Sequence, residues 1–305
     1  MRWTITGALT ASILSMGTLA ACGSDPVGPG GSTTFTTALN LFQFDSTLGA
    51  GVTRLEIRLF PGSLEAREIE VEPDDAEEKI IGRAVALDPA AGTITLDLGG
   101  LTVRYGTGTR FRTPTDSRVA RAPWEAQVAS ALGAGGQPLI EARRNRPAVP
   151  QDPADASFTA NDLRLESGSD EGALEFYVDN DNFESVSTPP PNAILRILNL
   201  PLAITDNTEL RLRHPGGTVP TGEVEFEAGV TSVNVVGSTL TLTGGTVVNV
   251  GGAAFDPLGD LLSLQATADA VGAGQAVRAE GRGTVTSAGP PVLVQAAAIK
   301  VEVDN

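Results

Sequence analysis

The chain has 305 residues, a formal net charge of −16 at pH 7 and 41% hydrophobic residues. Its single cysteine and single histidine exclude an internal disulfide and any zinc site built from thiolate and imidazole ligands within one chain. The length exceeds what one small core needs, and abundant glycine (35) and proline (20) punctuate short apolar runs, which points to an all-β protein rather than a helical or disordered one.

The first element in chain order is a targeting segment. Arg2 is followed by an uncharged, largely apolar run from Ile5 to Leu19, and this run closes on Leu19-Ala20-Ala21-Cys22. The tetrapeptide resembles the lipobox of bacterial lipoproteins. The resemblance implies a signal peptide over 1–21, cleavage before Cys22, a diacylglyceryl group on its thiol and a membrane anchor. About 17 apolar residues diluted by Gly and Thr are few for a bilayer-spanning helix, whereas two or more acyl chains, at about 0.8 kcal/mol per buried methylene, anchor firmly. Residues 22–33 then read as a Gly/Pro/Ser tether with a reach of about 20 Å. Gly23 after the cysteine, by the same resemblance, favours the outer membrane over the inner one.

Beyond the tether, strict alternation predicts half-buried strands at 55–59, 68–72, 93–96, 162–166, 210–213 and 299–303. Another strand is read over Glu175 to Val178. One helix is predicted over Pro123 to Leu132, with Trp124, Val128 and Leu132 on one face.

Internal repetition is the most informative feature of this part of the chain. Segments 64–72, 158–166 and 294–302 share an apolar residue, Ala two positions later, two alternating aliphatics and Glu. Leu101, Val103, Tyr105, Thr109 and Phe111 match Leu200, Leu202, Ile204, Thr208 and Leu210 at the same spacings, and Gly133-Ala134-Gly135 matches Gly272-Ala273-Gly274. On these residues the chain resembles a family of small repeated β-barrel domains of unknown function found in bacterial lipoproteins and secreted proteins. The resemblance implies tandem small antiparallel barrels of OB-like topology, with copies over 80–168 and 229–304 and partial copies over 34–78 and 169–225. Ile140 to Arg146 departs from the family pattern as an Arg-rich loop.

Chemistry-bearing residues are few. His214 would have to serve any serine-histidine pair, but it sits in a turn-like stretch beside Arg211 and Arg213, cations that would depress its protonation. Glu68, Glu70 and Glu72 alternate onto what reads as the solvent face of a strand. Asp179, Asp181 and Glu184 offer oxygen ligands to calcium, the one cofactor considered, although Phe183 occupies the fifth position of the loop pattern and its glycine is missing. Arg110, Arg112, Arg143, Arg144 and Arg146 form a basic patch followed by an acidic stretch, which suggests contact between domains or with a partner. Aromatic residues do not interleave with these arginines, which argues against nucleic acid.

These readings converge on a lipid-anchored cell-envelope protein of tandem barrels that binds or scaffolds rather than catalyses, held to the membrane through Cys22 and facing an unidentified envelope protein or polymer. The alternative is a carboxylate-dependent hydrolase acting on envelope polysaccharide. Acids gathered in one cleft would favour the hydrolase, and acids spread over strand faces the binding module.

Overall fold

The computed structural model describes residues 32–304 except 74–75, 149–153, 155, 168–171, 188–189 and 215–217. The residues read as a signal segment, with Leu19, Ala20, Ala21 and Cys22, lie outside the described residues. The first stretch of chain holds β1 (Thr34–Ala38), α1 (Leu41–Gly49), β2 (Thr53–Leu59) and β3 (Ala66–Glu72). The second holds β4 (Glu77–Asp88), β5 (Thr93–Leu96), β6 (Thr102–Arg104), β7 (Arg110–Arg112), β8 (Arg118–Val119), α2 (Arg121–Gly133), β9 (Leu139–Asn145), β10 (Ser157–Thr159) and β11 (Asp162–Leu165). In the third, β12 (Ala173–Val178) leads through a 3-10 turn, Asn180–Asn182, into β13 (Phe183–Ser185), β14 (Ala193–Ile197), β15 (Leu200–Ile204) and β16 (Glu209–His214). The last contains β17 (Gly222–Asn234), β18 (Thr239–Leu242), β19 (Val247–Asn249), β20 (Ala254–Phe255), α3 (Leu264–Gly272), β21 (Val277–Ser287) and β22 (Leu293–Val303).

The last stretch closes into a five-strand barrel. β17 pairs antiparallel with β18, and β18 with β19. β19 and β20 run parallel to β22, which returns antiparallel to β21, and β21 antiparallel to β17. The barrel is therefore mixed rather than antiparallel, because the crossover through α3 and β21 brings β22 back in the same sense as β19. The second stretch follows the same pairing order: β4 with β5, β5 with β6, β6 parallel to β10, β7 parallel to β11, β11 with β9, and β9 with β4. Its Arg-rich segment is not a loop. Leu139 to Asn145 form strand β9, with Leu139, Ile140, Glu141 and Ala142 all buried.

The first and third stretches pair with each other. β2 lies between β3 and β12, β16 runs parallel to β3, and Glu65 bridges Ala203 in the same sense. β13, β14 and β15 form a small separate antiparallel sheet. Contacts of β12 with β4, and of β1 with both β16 and β17, join the stretches into one continuous sheet.

Helix α2 contains the predicted turn, with Trp124 and Val128 fully buried. α1 and α3 escaped prediction because each has only nine residues, too few for the apolar spacing to repeat, whereas α2 has 13. All three helices end in Gly-Ala-Gly, at 49–51, 133–135 and 272–274. Gly135 (φ 78°) and Gly274 (φ 77°) take the left-handed conformation that ends a helix without a Cβ clash. One core gathers Phe44, Trp124, Phe158, Phe176 and Leu195; a second gathers Phe226, Leu240, Val248 and Val294 with Phe35 from β1.

Three hairpins share one turn geometry. Gly99 and Gly100, Gly244 and Gly245, and Leu198 and Asn199 each place two consecutive residues at positive φ, the type I′ arrangement that matches strand twist. Glycine adopts it freely; Leu198 (φ 52°) and Asn199 (φ 60°) do not. Leu198 is retained in the core at 3% exposure, whereas Asn199 is exposed. Asn199→Gly is therefore expected to raise stability by about 0.5 kcal/mol, and Leu198→Gly to lower it, both read from the urea midpoint.

Candidate functional site

The strongest concentration of chemical groups lies on the outer face of the continuous sheet. A single cross-strand row runs Asp162 (β11), Arg143 (β9), Lys79 (β4), Glu175 (β12), Glu56 (β2), Glu70 (β3) and Arg211 (β16). Opposite charges directly across strands stabilise a sheet and like charges oppose it. The face resolves this by interleaving. Arg54 contacts Glu175 at 2.5 Å and Glu72 at 3.7 Å, Arg58 contacts Glu56 at 3.0 Å and Glu68 at 3.5 Å, and Arg213 contacts Glu72 at 3.0 Å. Arg211 reaches Glu68, Glu209 and Glu225, while Lys79 pairs with Glu175.

Glu68, Glu70 and Glu72 thus do not lie on a solvent face. Neighbouring strands and long arginine stems cover them, and Glu68 is 7% exposed. Burial, then the charge of Glu72, raises the Glu70 carboxyl to about 7 against the opposing pull of Arg213. Burial likewise raises Glu72, Glu225 and Glu280.

The basic patch read from the sequence is engaged internally. Arg110 and Arg112 each meet Asp162 at 3.0 Å, and Arg112 also meets Asp116 at 2.8 Å. Arg143 pairs with Glu141 at 2.6 Å and Glu77 at 3.5 Å. The side chain of Glu78 has no exposed surface; it receives Arg144 at 2.5 Å and the Tyr177 backbone N–H at 3.3 Å. The Arg144 guanidinium also lies 4.5 Å from the Phe158 ring centre, and that of Arg146 lies 3.9 Å from the Tyr177 ring centre. A charged hollow of about 160 Å³ between Glu77, Arg112, Asp162 and Arg164 and an open groove of about 360 Å³ along Gly106 to Phe111 and Arg118 to Arg121 border this region.

The acidic candidates elsewhere are separated by their roles. Asp179 caps the 3-10 turn by accepting from the Asp181 N–H at 3.0 Å, and Glu184 pairs with Arg196 at 3.2 Å. Among the described residues no three His, Cys, Asp or Glu side chains are arranged to hold a metal ion. His214 is not a turn residue. It ends β16 opposite Phe35, its Nε2 lies 3.0 Å from Thr37 Oγ1, and burial rather than neighbouring cations lowers its pKa.

One signal that sequence reading missed is a Glu-x-Arg unit shortly after each Gly-Ala-Gly: Glu56 and Arg58, Glu141 and Arg143, Glu280 and Arg282. In the first two the Arg lies across from a buried acid, Arg58 from Glu68 and Arg143 from Asp162; in the third Arg282 faces Ala298. Among the described residues no helix is long and apolar enough to cross a membrane. Comparison of the chain with known protein families, curated proteins and solved structures gave no match.

Two expectations follow. Glu78→Ala leaves the Arg144 charge buried and is expected to cost about 3–5 kcal/mol, part of which Glu78→Ala combined with Arg144→Met recovers, measured by urea denaturation. A carboxyl whose pKa is raised on folding binds its proton more tightly in the folded state, so its contribution to stability is fully present below the unfolded value and falls as pH rises through about 7. Glu70→Gln is accordingly expected to raise the urea midpoint at pH 8 and to leave it nearly unchanged at pH 4.

Proposed function

We propose that the protein is a lipid-anchored cell-envelope module built from three OB-like barrel copies, acting as a binding or scaffolding element. The pairing order supports the architecture. In the last stretch strand one meets two, two meets three, three runs parallel to five, and five returns through four to one. The second stretch has the same succession. The third copy is divided: residues 41–72 supply its helix and strands four and five, and residues 173–214 supply strands one to three, with the second copy inserted between them. The two partial repeats are halves of one unit in this reading. The shared Gly-Ala-Gly, the Glu-x-Arg unit and the type I′ turn recur at equivalent places in all three.

The observation that carries a binding role over catalysis is the disposition of the carboxylates. They are distributed along strand rows and clamped by arginine, and the four that line the charged hollow, Glu77, Asp116, Glu141 and Asp162, share it with Arg110, Arg112, Arg143 and Arg164. Such a face is already neutralised by its own arginines, which suits a scaffold that positions its loops. Glu70 gives the hydrolase alternative its one specific support, a carboxyl near 7 between Glu56 and Glu72, as a general acid requires.

Membrane location rests on Leu19-Ala20-Ala21-Cys22 and the tether, with the outer membrane favoured by Gly23. Cys22→Ser is expected to move the protein from the membrane to the soluble fraction of its native cell, followed by immunoblot. Retention in the membrane would refute the anchor. Turnover of an envelope polysaccharide that Glu70→Gln abolishes would replace the scaffold reading with the hydrolase.

A further inference from the structure

The charges of this acidic chain are absent from one side of its last barrel. Residues 228–255 and 283–299 contain no Asp, Glu, Lys or Arg. The pairing assembles these two segments into one outward patch on β17, β18, β19 and β22. One cross-strand row is Asn234, Thr239, Asn249 and Gln295, and the next is Ser232, Thr241, Val247 and Leu293. Their strand neighbours Leu240, Leu242, Val248 and Val294 point into the core, so these rows are the outer surface. At one border the β17–β18 turn presents Val235 and Val236, the latter 99% exposed. The remaining outer surface of the same barrel carries Glu223, Glu225, Glu227, Glu280 and Glu302.

A second, independent observation ties the N-terminal chain to this patch. Thr33 is 5% exposed and its Oγ1 donates to the carbonyl of Thr243 at 2.8 Å, in the turn between β18 and β19. A side chain at Gly244 would meet Ser32 Cα and Thr33 N at 3.2 Å, so the chain passes close over that turn. From Ser32 back to Cys22 the chain spans at most about 35 Å even fully extended.

We propose that this charge-free face is the surface that lies against the phospholipid bilayer. The proposal rests on the lipid anchor at Cys22. An anionic bilayer repels carboxylates near its surface, and the effect decays within about 8 Å. A protein of charge −16 tethered so closely is held off by most of its surface. The β18–β19 face escapes that repulsion, starts at the point where the tether leaves, and offers Val235, Val236 and Leu293 to the interface and hydroxyl and amide groups to the headgroups. Docking there keeps Glu223, Glu225, Glu227, Glu280 and Glu302, on the remaining outer surface of the same barrel, off the membrane.

The test uses the lipidated full chain on vesicles of phosphatidylethanolamine and phosphatidylglycerol. With Cys22 acylated, a cysteine introduced by Asn249→Cys or, in α3, by Gln265→Cys is the one free thiol to carry a fluorophore. The label at 249 is expected to be quenched by a headgroup nitroxide and shielded from a water-soluble quencher, and the label at 265 to behave oppositely. Adding Thr239→Asp and Thr241→Asp to the 249-labelled chain should lower the docked fraction about tenfold on these vesicles. Equal quenching of both labels on vesicle-bound, acylated protein overturns the orientation alone. A chain whose mass shows no acyl group on Cys22 overturns the anchor and the orientation with it.

Discussion

The constraint on which the rest of this structure depends is the neutralisation of its outer sheet face. Strands that alternate apolar and charged residues are stable when the charged side meets water, because hydration then costs nothing. Here β4 continues onto β12 and β1 bridges β16 to β17, so the polar sides of successive units become one broad surface on which long side chains cover each other. Coverage raises the cost of every uncompensated charge. The chain meets that cost by placing arginines among the acids, and the places where matching is incomplete are visible: Glu70 carries no ion pair as close as those of Glu68 and Glu72 and has its pKa raised.

Pairing energy alone does not explain such a face, since the cost of taking covered charges out of water offsets much of what the pairs gain. Its effect is on register. A one-residue slip would bring buried Ile57 and Ile69 to the outer surface and carry Glu56 and Glu70 into the core. The buried Glu78 and the half-buried Arg144 extend the same logic inward, because Arg144 stacks on Phe158 and Phe176 and so links β9 to β12. A hydrophobic substitute could fill that space; it would not fix which strand lies beside which.

Charge is also distributed unevenly along the chain. The first three stretches and half of the barrel carry the acids and their arginines, while β18, β19 and the adjoining halves of β17 and β22 carry none. The uncharged half keeps the same alternation, with Thr, Ser and Asn in place of Glu and Arg, so the difference lies in the surface and not in the fold. Two faces of opposite character on one continuous sheet give the molecule a defined polarity, and the N-terminal chain joins it on the uncharged side through Thr33.

Much of the secondary structure was legible from the sequence. Period-two alternation located β2, β3, β5, β11 and β16, and Trp124 with Val128 marked α2, because solvent and core act on side chains in a local, periodic way. The segments 64–72, 158–166 and 294–302, alike in pattern, became β3 with its approach, β10 with β11, and β22, and each pairs parallel on one side and antiparallel on the other. Three properties needed the tertiary structure. Strand sense did, because Val247 finds Leu293 through a crossover that no local pattern encodes. So did the union of the first and third stretches, since the half-sheets at 53–72 and 173–214 meet only across an intervening unit. The state of Glu70 was likewise decided there, because a carboxylate's protonation depends on which charges and how much water surround it. The sequence by itself determined the alternating strands, the absence of thiol chemistry beyond Cys22 and where charge is missing; which strands lie side by side, and therefore which charges are covered and which face is left neutral, only the fold decided, because long-range pairing is set by packing across the whole chain.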